Sequence, residues 1–257
     1  MAIVTLLTDS GESDHYVAAI KARILSINPG LTIVDISHKI GSCDLAHAAF
    51  ALKAVFRDFP KGSVHLVGVD ATGNREDAFI AMQLEDHFFV GTDNGLLSLI
   101  SDKSHQILVD INKISATKSS FPERDILAPA AAKLASNVAI SSIGVVMPLL
   151  KKLMNRHIKA NKKIISGHVI RVDSCGNLIT NIPKDAFDTL SNGKTYTIQF
   201  GGEKFRRIHT NYNQADQGDC FLLFNSLDLL EIGIYKGNAC ELLGMTYDSA
   251  VSITFDE

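Results

Sequence analysis

The chain is predicted to pair an α/β N-terminal domain with a mostly parallel sheet and a C-terminal all-β, barrel-like domain. Three observations carry this. Short, nearly all-apolar runs alternate with helical patterns as far as about Leu150, as strands covered by helices on both faces do. From Ile164 onward the helical period fades, and strand-like runs follow one another between Gly, Asn and Asp turns. Between them Lys151 to Lys163 is polar and rich in Lys, Asn and Arg, as a linker is. The domains are therefore set at residues 1–155 and 164–257.

Ile3 to Leu7 is the first buried strand, and Thr8-Asp9-Ser10-Gly11-Glu12-Ser13-Asp14 turns from it into a helix whose Val17, Ile20, Ile24 and Leu25 share a face. Ligands bind at the carboxyl ends of strands in open α/β sheets, so Asp9 and Asp14 stand where function is expected. Capping by Asp14 or Ser13 is the plainer alternative. Leu31 to Ile36 is the second strand, followed by Ser37-His38 and a helix from about Asp44 to Phe56. His38 has no partner nearby in sequence and reads as a hydrogen-bonded structural residue. Val64 to Val69 is the third strand, ending in Asp70-Ala71-Thr72-Gly73-Asn74-Arg75. An acid directly after a buried strand is a candidate for chemistry; a turn with a surface ion pair is the alternative.

Ala78 to Leu84 and Phe88 to Val90 read as a hairpin, Thr92-Asp93-Asn94-Gly95 leads into a helix over Leu96 to Ile100, and Ile107 to Ile111 is another strand. Then Phe121-Pro122-Glu123-Arg124-Asp125-Ile126-Leu127-Ala128-Pro129 carries a polar loop into an apolar helix, with Asp125 the expected N-cap. The C-terminal strands are expected at Ile164 to Val172, Leu178 to Ile182, Thr195 to Phe200, Lys204 to Ile208, Phe221 to Phe224, Leu229 to Ile234 and Val251 to Phe255.

At 257 residues and 46% hydrophobic content the chain has ample material for a core. With 25 basic and 28 acidic residues and no long basic run, it lacks the electrostatic footprint of a nucleic-acid binder, and a small-molecule ligand is expected instead. Cys43, Cys175, Cys220 and Cys240 are scattered without a Cys-x-x-Cys pair, which suggests reduced cytosolic thiols, no zinc site and no disulfide framework. The N-terminus has no basic region or cleavage site and meets Thr8-Asp9 too soon to read as a signal peptide, and the longest apolar region, Ile126 to Leu150, is too interrupted for a membrane span. Neither a dinucleotide glycine fingerprint nor a nucleophile elbow occurs.

Taken jointly, the motifs resemble a known family. Thr8-Asp9-x-Gly11-x-x-Asp14-x-Tyr16, Asp35-Ile36-Ser37-His38-x-Ile40, Asp93-Asn94-Gly95-Leu96-Leu97, Arg124-Asp125-Ile126-x-Ala128-Pro129-Ala130-Ala131-Ala132, Asp173-x-x-Gly176-Asn177-x-x-Thr180-Asn181-Ile182, and Asn225-Ser226 with Leu230-Glu231-Ile232 and Gly237-Asn238-Ala239 are similar to those of the S-adenosylmethionine hydroxide adenosyltransferases. These adenosine-forming hydrolases are related to halogenating enzymes that use the same substrate.

The scattered thiols point to a cytoplasmic protein, and the resemblance implies a homotrimer with sites where one subunit's N-terminal domain meets a neighbour's C-terminal domain. It implies displacement of methionine from the ribose C5′ by water, with neither metal nor cofactor. By position, Asp9 is expected on the ribose hydroxyls, Asp14 and Asp173 on the methionine ammonium, and Ser226 near its carboxylate. Asn177 is expected on the adenine edge, Phe121 on the sugar or base, and Thr72 among the substrate-binding residues. In the hydrolases an Asp, an Arg and a His prepare the water, and Asp70 and Arg75 match the first two. The family turn Asp-Pro-Gly-Val-Gly-Thr-x-Arg is shorter here, and Phe-His-Gly-Arg-Asp becomes Phe121-Pro122-Glu123-Arg124-Asp125. Glu123 is then the candidate general base, with a solvent-facing residue or an Arg124 partner as the alternative. Cys43 stands where the halogenases carry an aromatic residue. Three functions stay open: hydrolase, catalytically impaired binder of S-adenosylmethionine or adenosine, or a related displacement on the same substrate with another nucleophile.

Overall fold

The computed structural model describes residues 3–73, 78–112 and 119–256. The chain falls into two compact units, Met1–Met154 and Asn155–Glu257.

The first unit contains β1 (Ile3–Thr8), α1 (Tyr16–Ile27), β2 (Thr32–Ser37), α2 (Leu45–Val55), β3 (Val64–Gly68), β4 (Phe79–Leu84), β5 (His87–Thr92), β6 (Ile107–Asp110), α3 (Ala128–Ala135) and β7 (Val145–Val146). Among the described residues its seven strands run in the order β2-β1-β3-β5-β4-β6-β7. The first four are mutually parallel, β4 is antiparallel to β5, and β6 is antiparallel to β4. The sheet is therefore mostly parallel in direction, with its antiparallel ladders confined to one side.

Alternation along the parallel strands sends side chains to two faces. Val4, Leu6, Val64 and Leu66 join Ile20 and Ile24 of α1 and the alanines of α3 in one cluster. Leu7, Val67 and Val69 join Ala48, Ala49 and Leu52 of α2 and Phe56 in the other. This double coverage is why β1 and β3 read as nearly all-apolar runs. Leu25, expected on the buried face of α1, is 39% exposed, because it follows the buried Ile24 by about 100° around the helix.

At the amino end of β3 lies a buried polar string. Thr5 Oγ1 meets His65 Nδ1 at 2.7 Å, and His65 Nε2 meets His87 Nδ1 at 3.2 Å, enclosed by the rings of Phe56 and Phe89. Burial, followed by the neighbouring His87, pushes the His65 imidazole down to about 3. The folded state therefore refuses a proton that the unfolded chain accepts near pH 6.5. Stability is expected to fall as pH drops below 6.5 toward 3, and His65→Gln should flatten that decline in denaturant midpoints measured across the range.

The second unit contains β8 (Lys159–Ala160), β9 (Ile164–Val172), β10 (Leu178–Pro183), α4 (Lys184–Ser191), β11 (Tyr196–Phe200), β12 (Glu203–Phe205), β13 (Cys220–Phe224), β14 (Leu229–Ile234), α5 (Ala239–Leu243) and β15 (Ala250–Phe255). The order is β12-β11-β15-β9-β10-β14-β13, with β8 also on β9. The long strand β9 turns the sheet: Ile164 to His168 pair with β15 on one side, while Val169 to Val172 pair with β10 on the other. All of these ladders are antiparallel, and their inner faces share one core that includes Val169, Phe200, Leu222, Ile232 and Ile253.

Two expectations are corrected here. The sheet is a curled half-barrel rather than a barrel, since β12 and β13 end the path without meeting; β12, expected as Lys204 to Ile208, spans three residues. Nor is the unit all-β. Helix α4 buries Phe187, and α5 is capped by Asn238, whose Oδ1 accepts from the Glu241 backbone N–H and whose Nδ2 donates to Glu241 Oε1. With Gly244 in the left-handed region closing α5, that start and stop signal was present in the sequence.

Candidate functional site

In the first unit three carboxylates gather at the carboxyl ends of β1 and β3. Asp9 follows β1, and its Oδ2 accepts backbone N–H bonds from Cys43 at 2.9 Å and Asp70 at 3.2 Å. The same carboxylate thus ties the loops after β1, β2 and β3 to one point, leaving Oδ1 free of partners among the described residues. Asp70 follows β3 with φ +46, a left-handed conformation that costs a non-glycine residue about 1–3 kcal/mol and persists only where its surroundings hold it. Cys43 lies close by, its Sγ 3.6 Å from Asp70 Oδ1, and it too has positive φ, at +56.

The third carboxylate is Glu123. It opens a single π-turn, Glu123–Leu127, that runs directly into α3, with Pro122 before it. Its side chain lies over Gly68, where an added Cβ would stand 2.9 Å from Glu123 Cγ and 3.3 Å from Thr8 Cγ2. Gly68 therefore makes the seat for Glu123. Burial pushes the Glu123 carboxyl above its ordinary range, and the nearby Asp9 carboxylate pushes the same way. Neither plainer alternative holds, since Glu123 is half-buried and Arg124 bonds Asp125 instead, Nε to Oδ1 at 2.7 Å and Nη2 to Oδ2 at 3.0 Å.

The expected N-cap at Asp125 is corrected by the same geometry. The helical run starts earlier, so Asp125 lies within the π-turn, its carboxylate taken by Arg124 and the Ser119 hydroxyl. Phe121 is half-buried, with Tyr16 edge-on at 5.3 Å and the Arg124 guanidinium 5.3 Å from its centroid. It thereby links the start of α1 to the π-turn. Asp14 is exposed one residue before the N-cap position of α1, which His15 holds without a side-chain bond, so neither Asp14 nor Ser13 caps the helix. Thr72 is exposed in the Asp70 turn. Arg75 lies outside the described residues.

His38 is buried and hydrogen-bonded: Nδ1 meets Thr8 Oγ1 at 2.8 Å, and Nε2 is 3.2 Å from Asp35 Oδ1. Its structural reading holds.

In the second unit Asp173 and Asn177 build the turn between β9 and β10. Asp173 Oδ1 accepts the backbone N–H groups of Cys175 and Asn177, both at 2.8 Å, and Oδ2 accepts Asn177 Nδ2 at 3.1 Å. Gly176 has φ +82 and touches the Asn238 side chain, leaving no room for a Cβ. Beside this turn is an open cleft of ≈ 480 Å³ whose lining includes Asn177, Tyr212, Phe221, Tyr235 and Asn238. Ser226 is exposed in the turn joining β13 to β14. By register that turn lies near Leu229, whereas Asn177 precedes the Leu178–Ile232 pair, so the two are separated by about three to four residues of β14, roughly 10–13 Å along it. Asn225 partly spans the gap through Nδ2 to Glu231 Oε2 at 3.0 Å. The structure thus joins Asp173 to Asn177 directly, and Ser226 to neither.

Residue-type reasoning left out the groups that hold these carboxylates: the Cys43 amide, Gly68, Thr92 and Asn94. Only Asn94 carried a signal, as the middle of Asp93-Asn94-Gly95.

A mostly parallel α/β unit with carboxylates at its strand ends, followed by a curled antiparallel unit with polar turns beside a cleft, defines a protein of two-part, α/β-plus-β architecture. Residues 4–144 match the family model described as SAM hydroxide adenosyltransferase N-terminal domain, and residues 167–252 match its C-terminal counterpart. The chain belongs to the SAM hydroxide adenosyltransferase family. An (R)-S-adenosyl-L-methionine hydrolase of Methanocaldococcus jannaschii is 32% identical, the match covering 98% of this chain and 96% of that protein. A fluorinase of an Actinoplanes species is 23% identical over 70% of this chain and 71% of that one. Among solved structures, an uncharacterized conserved protein from Thermotoga maritima superposes with a TM-score of 0.89 at 29% identity, covering 98% of this chain and 99% of that one. No helix among the described residues is long and apolar enough to cross a membrane.

Proposed function

We propose that the protein is an S-adenosylmethionine hydrolase giving adenosine and L-methionine. Full-length similarity to a hydrolase of that name carries the reading, and the convergence of Asp9, Asp70 and Glu123 supports it. In the reaction a water oxygen donates a lone pair to C5′ as the C5′–S bond breaks. Sulfur takes that bonding pair and leaves as the neutral thioether of methionine, and the water proton passes to Glu123. The sulfonium is already an excellent leaving group, so the protein need only orient and desolvate the nucleophile, and no cofactor is invoked. Asp70, with Arg75, orients the water.

Asp9 holds the ribose hydroxyls, for which a carboxylate oxygen is a suitable acceptor. Phe121 packs on sugar or base, and Thr72 contacts the substrate. Asp14 and Asp173 hold the ammonium, Ser226 approaches the carboxylate, and Asn177 reads the adenine edge. In this reading the active form is a cytoplasmic homotrimer, each site completed by a neighbour's C-terminal domain, and a stable monomer by light scattering would contradict it.

Purified protein incubated with S-adenosylmethionine should release equimolar adenosine and methionine. Binding without adenosine above the uncatalysed background would instead support the second reading, an impaired binder, which Pro122 in place of the family histidine favours. With halide present adenosine should remain the sole nucleoside product, because carboxylates beside the nucleophile position repel a halide.

A further inference from the structure

The turn that carries Asp70 is held from behind by side chains of the neighbouring strand end. Asn94 is buried, and its Nδ2 donates to the carbonyl oxygens of Val69 at 3.0 Å and Asp70 at 3.3 Å, while its Oδ1 accepts the Leu96 backbone N–H at 3.1 Å. Thr92, also buried and the last residue of β5, donates its hydroxyl to the Ala71 carbonyl at 2.6 Å. Three successive carbonyls are thus gripped by two side chains, and the residue at their centre is the left-handed Asp70. On its other side, the Asp70 N–H is bonded to Asp9.

A backbone held in a sparsely populated conformation persists only when its surroundings over-determine it, and Asn94 with Thr92 supplies that restraint. An ordinary turn would need none of it, since Gly73 N–H already closes on the Asp70 carbonyl at 3.0 Å.

We propose that Asn94, assisted by Thr92, is a positioning residue that aims the Asp70 carboxylate at the reacting water. This rests on the hydrolase reading for its chemical consequence, though the clamp itself is a property of the fold. Asn94 touches no substrate in this scheme, and its effect travels through Asp70 alone.

Displacing a catalytic group by about 1 Å costs on the order of 100-fold in rate. Asn94→Ala is therefore expected to lower kcat about 100-fold with KM changed less than about threefold, and in an Asp70→Asn background to add nothing further. Thr92→Val should lower kcat in the same sense, and Thr92→Ser, which keeps the hydroxyl, should restore it. A second readout is amide hydrogen exchange, which should quicken at Asp70 and Gly73 in Asn94→Ala. A folded Asn94→Ala protein with wild-type kcat, or one whose loss is fully retained on top of Asp70→Asn, overturns the proposal. Should the wild type turn over no S-adenosylmethionine, the hydrolase reading falls. The exchange result then decides the clamp alone: quickening upholds it and unchanged rates overturn it.

Discussion

Asp70→Asn is expected to lower kcat for adenosine formation by about 10²–10³-fold while leaving KM within a few-fold of wild type. The substitution is isosteric, and the contacts that fix the turn are backbone contacts: Asp70 N–H to Asp9, and the Val69, Asp70 and Ala71 carbonyls to Asn94 and Thr92. The turn therefore survives. What changes is the charge beside the water: a carboxylate accepts a water proton strongly, whereas an amide oxygen accepts it weakly and the amide nitrogen opposes it. Preorganised groups of this kind typically supply about 10²–10³ in rate when removed singly. Steady-state kinetics following adenosine by chromatography would check it, and a kcat within about fivefold of wild type would take Asp70 out of the mechanism. A large rise in KM with kcat kept would move it to substrate binding.

The fold was legible wherever burial is one-sided or two-sided in a simple way. Apolar runs such as Val64 to Val69 announced the parallel strands because both sheet faces are covered. The barrel expectation failed because closure depends on whether the end strands meet, and nothing in the three residues of β12 says so. The Asp125 expectation failed because cap propensity gives a residue's preference and not where the helical run begins: Pro122 and Glu123 already start it.

At the site, chain order named the carboxylates Asp9 and Asp70 because both directly follow buried strands. The grip on them was less legible. Cys43 acts through its backbone N–H, which every non-proline residue has, and Gly68 acts by lacking a side chain. Their meaning arises only when β1, β3 and the π-turn are brought together. The motifs of the family could be read in order along the chain, yet the hydrogen bonds that Asp173 and Asn177 make within their own turn leave no mark in the sequence beyond that of any polar turn.

Glu123→Gln is the second large effect, and its sign differs between rate and stability. As general base Glu123 must be ionised, and burial together with Asp9 raises its pKa, so wild-type activity should decline as pH falls through that raised value. Loss of a general base costs about 10²–10⁴-fold, and the residual rate of the glutamine variant should lack this acidic limb. Stability runs the other way. A carboxyl whose folded pKa is raised favours the fold below its unfolded pKa, and that contribution is lost as pH rises through the folded value. The ionised carboxylate is thus a burden at neutral and alkaline pH, and glutamine, seated over the same Gly68, removes it. The variant should melt at higher temperature than wild type at pH 8 while the two converge near pH 4. A rate unchanged by the substitution, with the acidic limb intact, would show that the water gives its proton elsewhere. A drop in melting temperature at pH 8 would show instead that Glu123 is held ionised by a partner, and that its place in the π-turn is structural.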